Sequence, residues 1–275
     1  MRLVDSHCHL QAERFAADAE LVLGGARLAG VERILVPGWN RISGEAALTL
    51  AERHPWLDAA VGVHPHEAAQ VDEAAWAWFV EAAADHRAVA VGETGLDFDR
   101  AFSSVESQLG NLRRNLALAL ATGKPAILHC RSAAGRRDAQ DALVAELRSA
   151  GFGDPTVTRA FGDRPAAIVH SFSGPPDYAE AVLALGLAIS FSGLVFRPGE
   201  ESSAEVARIV PANRLLVETD APYLSPPGAP RRRNEPEWVA VTARWLAEQR
   251  AEDPALLGER LVANYDAILP RSRPR

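Results

Sequence analysis

Met1-Arg2-Leu3-Val4-Asp5-Ser6-His7-Cys8-His9-Leu10 opens the chain with a short apolar run that ends in a His-x-His pair. In a strand, alternate side chains share one face, so His7 and His9 are expected to point at one cation while Cys8 points away. Four further residues stand at the ends of other apolar runs: Glu93, His129, His170 and Asp220. Imidazoles and carboxylates grouped in this way are the usual ligands of hydrolytic metal centres, so the pattern points to a metal-dependent hydrolase.

Working outward, short apolar runs alternate with longer amphipathic stretches. The candidate strands are 3–6, 33–36, 59–63, 88–92, 126–129, 167–170, 187–190 and 215–218. Helical patterns rich in Ala, Leu, Glu and Arg lie between them, as at 15–28, 73–84, 105–121 and 138–149, and two more close the chain at 237–249 and 254–268. Nearly continuous apolar strands are those covered on both faces. An open doubly wound sheet has the same rhythm. The ligand positions discriminate, because they follow strands one, four, five, six and eight, and a closed barrel gathers those ends around one point. No Gly-x-Gly-x-x-Gly turn follows the first strand, which counts against a dinucleotide fold. The expected architecture is an α/β TIM (β/α)8 barrel with its metal site at the C-terminal ends of the strands. One domain spans 1–270, and 271–275 forms a basic tail. The polar, Gly-containing stretch 151–164 reads as a surface loop or short added turn.

The 275 residues suit such a barrel, and 48% hydrophobic with 24% charged residues is ordinary for a globular protein. A formal net charge of −7 argues against broad nonspecific wrapping of nucleic acid but permits a local phosphate site. Two cysteines, Cys8 and Cys130, are too few for a disulfide framework and favour a reducing, cytoplasmic setting. No basic segment followed by a long apolar run opens the chain, and no apolar run approaches membrane-spanning length, so neither a signal peptide nor a membrane partner is expected. Oligomeric state is not encoded in any pattern here.

The ordered motifs carry a resemblance. They are Asp5-Ser6-His7-Cys8-His9-Leu10, Gly62-Val63-His64-Pro65-His66, Gly92-Glu93-Thr94-Gly95-Leu96-Asp97, Lys124-Pro125 with His129-Cys130-Arg131, His170-Ser171-Phe172-Ser173-Gly174, Ile189-Ser190-Phe191-Ser192-Gly193, Glu218-Thr219-Asp220-Ala221-Pro222-Tyr223-Leu224, and Arg233-Asn234-Glu235-Pro236. In this order they cover nearly the whole chain, which resembles the TatD family of metal-dependent deoxyribonucleases. The chain departs from the family at Gln11, where an acidic residue is usual, and at Ala267, where the closing motif usually has Arg. The interval from His129 to His170 is also longer than usual.

The resemblance implies two divalent ions (Mg, Mn or Zn) held by His7, His9, Glu93, His129, His170 and Asp220. Glu93 stands between the ions, and His129 and His170 serve the second. Asp220 accepts the proton of an attacking water, and Glu218 supports a histidine; spacing alone would allow these two acids to exchange roles. His64 matches a histidine of the family's catalytic face, contacting phosphate or protonating the leaving oxygen. Asp220, Glu93 and His64 are thus the catalytic candidates. Candidate substrate contacts are Arg131 and Arg233 for phosphates, with His66 beside them, and Phe172 and Tyr223 for bases. Phe172 and Phe191 have barrel packing as the alternative reading, and Arg231 and Arg232 read as solvated charge. The implied partner is DNA, as a single strand or at an end, cleaved exonucleolytically. A hydrolase of another ester or amide on the same centre is the competing function, and a noncatalytic binding protein the third.

Overall fold

Eight strands pair in parallel and in sequence order. They are β1 (Leu3–Asp5), β2 (Val31–Pro37), β3 (Leu57–Val61), β4 (Ala88–Asp97), β5 (Ala126–Arg131), β6 (Ala167–Val169), β7 (Ala188–Phe191) and β8 (Leu215–Val217). The seam between β8 and β1 is joined by a parallel bridge between Cys8 and Ala221 and by backbone bonds from Ser6 N to Val217 O and from Asp220 N to His7 O. This makes a nearly closed (β/α)8 barrel. The computed structural model describes residues 1–230 and 232–270; Arg231 and the expected basic tail at 271–275 lie outside the described residues.

Around the strands run α1 (Ala19–Leu28), α2 (Arg41–Arg53), α3 (Glu73–Ala84), α4 (Val105–Thr122), α5 (Asp138–Ser149), α6 (Pro155–Ala160), α7 (Pro176–Ala184), α8 (Ser203–Ile209), α9 (Val239–Arg250) and α10 (Pro254–Ile268). Their starts are set by local chemistry. Asn40 and Ser43 form a reciprocal capping box on α2, Ser104 caps α4, and Asp253 caps α10 just before Pro254. Gly123 ends α4 in the left-handed region at φ +64°. Every residue of β1, β3, β4, β6, β7 and β8 is buried, which accounts for their mainly apolar sequences. No helix among the described residues is long and apolar enough to cross a membrane.

Three expectations change. The fourth strand does not stop before Glu93 but continues through it to Asp97. The first helix starts at Ala19, after a separate 3-10 turn at Glu13–Phe15. The 151–164 stretch is more than a polar loop, because it contains α6 and buries Phe152 and Phe161 against the core.

Candidate metal centre

β1 ends at Asp5, so His7 and His9 sit on the short extension that bridges to Ala221. Asp5 holds that extension. One of its carboxylate oxygens accepts the backbone N–H of Thr219 at 2.9 Å and of His7 at 3.3 Å, and the other accepts the Thr219 hydroxyl. The buried Asp5 therefore latches the first ligand segment to the last; it escaped the sequence reading, although its place two residues before His7 was the available signal.

Glu93 lies inside β4, and the strand reaches this position only because glycines flank it. Gly95 has φ +142°, and a Cβ there would come within 1.9 Å of the His129 carbonyl oxygen. The close approach of β4 to β5 brings Glu93 and His129 to one place.

The two oxygens of Glu93 face two different sets of groups. Oε2 lies 3.3 Å from His7 Nε2 and 3.6 Å from His9 Nε2. These two nitrogens are 3.2 Å apart, and Asp220 Oδ1 is 3.4 Å from His9 Nε2 and 3.9 Å from His7 Nε2. Oε1 lies 2.9 Å from His170 Nε2, 3.2 Å from His129 Nδ1 and 3.3 Å from His64 Nε2. The His170 ring stacks on that of His7 with centroids 3.8 Å apart, so it adjoins both sets. All six expected ligands converge, and His64 joins the His129 side.

This donor set fits a divalent cation. Four ligands placed tetrahedrally at 2.0–2.1 Å from zinc are spaced by about 3.4 Å, close to the separations around Glu93 Oε2. The charges agree. Burial pushes the Glu93 carboxyl up, but His64, His170 and His7 outweigh it and hold it well below the usual carboxylate range. Burial disfavours a charged His170, yet Glu93 and Glu218 raise it well above an ordinary histidine. Desolvation also opposes ionisation of Asp220, and the hydrogen bond and charge of His9 overcome it. The buried carboxylates are thus kept ionised by the histidines that face them.

The surrounding groups orient the rings. Glu218, wholly buried, receives His170 Nδ1 at 3.1 Å, which leaves Nε2 toward Glu93. The strand does not continue straight to Asp220. That residue is left-handed at φ +53°, so Glu218 turns to His170 and Asp220 to His9. Asp97, a residue given no role from sequence, receives His66 Nε2 at 2.7 Å and lies 3.5 Å from His129 Nε2. His64 Nδ1 accepts the His66 backbone N–H at 3.1 Å, which puts the proton of the neutral ring on Nε2. Burial is the main cause that lowers the His64 pKa to about 4, so this ring is neutral at pH 7.

The expected substrate contacts divide. Tyr223 is half exposed, with its ring 6.0 Å from that of His9. Arg131 is exposed and paired with Asp99 at 2.7 Å. His66 lies at the rim, but its Nε2 is engaged by Asp97, the carboxylate that also faces His129, so this nitrogen does not make the expected direct contact. Phe172 is a correction. Ser171 adopts φ +43°, and the chain turns so that Phe172 is 1% exposed and stacks on Tyr178 of α7, which leaves it no open face for a base. Phe191 is buried as well. Arg233 is the second correction. Its guanidinium is held by both oxygens of Asp18, by Glu235 and by the Arg14 carbonyl, which leaves no free face for a phosphate. It ties down the 3-10 turn after β1, and the cation presented there is Arg14, 5.6 Å from the Tyr223 ring centroid. Gln11 uses its amide to donate to Pro37 O at 2.7 Å, a bond that a carboxylate could not make. Ala267 is exposed on α10, so a small residue there costs no core packing.

The model of the family described as TatD related DNase matches residues 4–270. The chain is 37% identical over 271 residues to the 3'-5' ssDNA/RNA exonuclease TatD of Erwinia billingiae, covering 95% of this chain and 97% of that protein. It is 38% identical to the protein of the same name from Pectobacterium parmentieri, covering 94% and 95%. The crystal structure of YjjV, a TatD homolog from Escherichia coli, superposes with a TM-score of 0.83 at 30% identity, covering 98% of both chains.

Proposed function

Because the chain belongs to the TatD related DNase family, we propose that it is a metal-dependent nuclease that degrades single-stranded DNA or RNA from the 3' end. The observation that carries this reading is the split carboxylate of Glu93, with one oxygen toward His7 and His9 and the other toward His64, His129 and His170. Direction and substrate follow the names of the relatives. The working unit is residues 1–270 as one domain, and the free thiols Cys8 and Cys130 suit a reducing cytoplasm.

His7, His9 and Asp220 would hold one cation and His129 and His170 a second, with Glu93 shared between them. Divalent cations at such a centre supply water of lowered pKa and screen phosphate charge. The residues of the chain do the rest. Asp220 orients the attacking water and takes its proton. His64, neutral and with its proton on Nε2, donates a hydrogen bond to a nonbridging phosphate oxygen. A neutral ring of low basicity suits this role better than proton delivery to the leaving oxygen. Arg131, steadied by Asp99, meets a neighbouring phosphate. Tyr223 receives a base on its open face, next to the charge of Arg14.

Glu218→Gln keeps the shape of the support behind His170 but removes its charge. Metal affinity is expected to fall about 10- to 100-fold, as is typical when the carboxylate behind a ligating histidine is lost. Calorimetric titration with Mn or Zn reads this directly; unchanged affinity would remove Glu218 from the centre.

The test of function is an end-labelled single strand incubated with metal-free protein supplied in turn with Mg, Mn or Zn. Stepwise shortening from the 3' end that needs metal and is absent in Asp220→Ala is the expected result. Absence of cleavage by folded, metal-loaded protein under all these conditions would reject the nuclease reading.

A further inference from the structure

Most exposed large hydrophobic residues are scattered over the outer helices: Leu21 and Leu28 on α1, Ile42 on α2, Val80 on α3 and Leu256 on α10 are typical. Single apolar residues on such surfaces are ordinary. Two aromatics in this group are placed differently. Tyr223 follows β8 and Phe102 follows β4, and both loops leave the C-terminal face of the barrel, where the metal group lies. Phe102 is 67% exposed, and its ring stands edge-on to His66 with centroids 4.8 Å apart.

The exposure of Phe102 is built into a rigid segment. On one side, Asp97 Oδ1 accepts the backbone N–H groups of Asp99 and Arg100. On the other, the buried Ser103 donates its hydroxyl to His66 O and accepts from Ala69 N, while its carbonyl is taken by Gln108. Between them Ala101 is held at φ +49°, an uncommon conformation for a residue with a Cβ. A chain pinned at both ends and strained in the middle keeps a large apolar ring in water, and strain of this kind concentrates at sites that bind something.

We infer that Phe102 is a second base-stacking platform, set across the metal group from Tyr223, and that it accepts an unpaired nucleobase and so selects single strands over duplex. The inference rests on the nuclease reading above. Its geometry is specific. Tyr223 borders His9, on the Oε2 side of Glu93, whereas Phe102 borders His66, which leads through Asp97 to His129 on the Oε1 side. Loops four strands apart in an eight-stranded barrel lie on opposite sides of its axis. A phosphodiester held at the centre would have one flanking nucleotide toward each ring. Arg131, bound to Asp99 in the turn that leads to Phe102, puts a cation for the backbone on the Phe102 side, as Arg14 does beside Tyr223. Aromatic faces with interleaved cations are the general means of gripping single strands without reading sequence, and a base paired within a duplex offers no free face to them.

The test uses Phe102→Ala, Phe102→Leu and Phe102→Trp, with binding of a labelled thymidine oligonucleotide measured in the metal-free protein and hydrolysis measured with metal. Phe102→Ala is expected to weaken binding and raise KM about tenfold, Phe102→Leu to behave similarly, and Phe102→Trp to retain the wild-type values. A set of oligonucleotides with one base removed at successive positions supplies the second arm. Wild-type protein should lose affinity about tenfold at two positions, one for each ring, and Phe102→Ala should be indifferent at one of them while still sensitive at the other, because the two partners of one contact do not add. Equal binding and turnover by Phe102→Ala in a protein that degrades single strands would overturn the platform alone, as would a Leu variant as good as the Trp variant. A wild-type protein that neither binds nor cleaves single strands would overturn the nuclease reading and the platform with it.

Discussion

Glu93→Gln is expected to reduce phosphodiester hydrolysis on the order of 10³-fold while leaving the protein folded. The substitution is nearly isosteric in a buried position, so the barrel keeps its packing. What is lost is the charge between two sets of imidazoles, Oε2 facing His7 and His9 and Oε1 facing His64, His129 and His170. An amide offers one weak acceptor and two N–H groups, which turn hydrogens toward cations that need lone pairs. The effect should therefore also appear without substrate. A metal at 100 times its Kd stabilises wild-type protein by about 2.7 kcal/mol, and this thermal shift should vanish in the variant. Activity within tenfold of wild type, or an undiminished metal-dependent shift, would show that Glu93 does not join the two halves of the site.

Gly95→Ala is expected to be equally damaging by a different route. The new Cβ would meet the carbonyl oxygen of His129 at 1.9 Å and its backbone nitrogen at 2.8 Å, and φ +142° is itself hostile to a side chain. Every obstructing atom is backbone, so relief requires β4 to separate from β5 at the register Gly95–His129. Overpacking and dihedral strain together cost about 3 kcal/mol or more. A melting temperature lower by about 10 °C is expected for a chain of this size, with loss of metal binding even in protein that remains folded. Gly110→Ala is the matched control. It lies in α4 with nothing within 4 Å of the added Cβ, and it should be neutral or stabilising by up to about 1 kcal/mol. A Gly95→Ala protein as stable as the control would mean that the close strand approach is not required.

The candidate metal group is legible in the sequence because the residues that converge there carry their own signal. His7 and His9 at a two-residue spacing, and Glu93, His129, His170 and Asp220 after apolar runs, identify the strand ends that a barrel must bring together. The reason they meet was less legible. β4 continues past its apolar run through Gly92 and Gly95, residues that ordinarily mark the end of a strand, and here their lack of a side chain permits contact with neighbouring backbone. The misread residues share one cause, which is that their decisive partners are remote in sequence or depend on a single backbone dihedral. Arg233 resembles a free phosphate clamp until Asp18, 215 positions away, occupies its guanidinium. Phe172 falls two residues after His170, but the left-handed Ser171 breaks the alternation and sends it under α7. Glu218 and Asp220 were interchangeable on a straight strand, and the turn at Asp220 gives each a different histidine. Exposure, which distinguishes Phe102, leaves no trace in a linear pattern.

We propose that one carboxylate, Glu93, joins two cation positions. Titration of metal-free protein with Mn, followed by calorimetry and by electron paramagnetic resonance, tests it most directly. Two ions per chain are expected and, at saturation, the spectrum of a magnetically coupled Mn pair, which Glu93→Gln abolishes. Saturation at a single uncoupled ion, or a coupled pair that persists in Glu93→Gln, would contradict it.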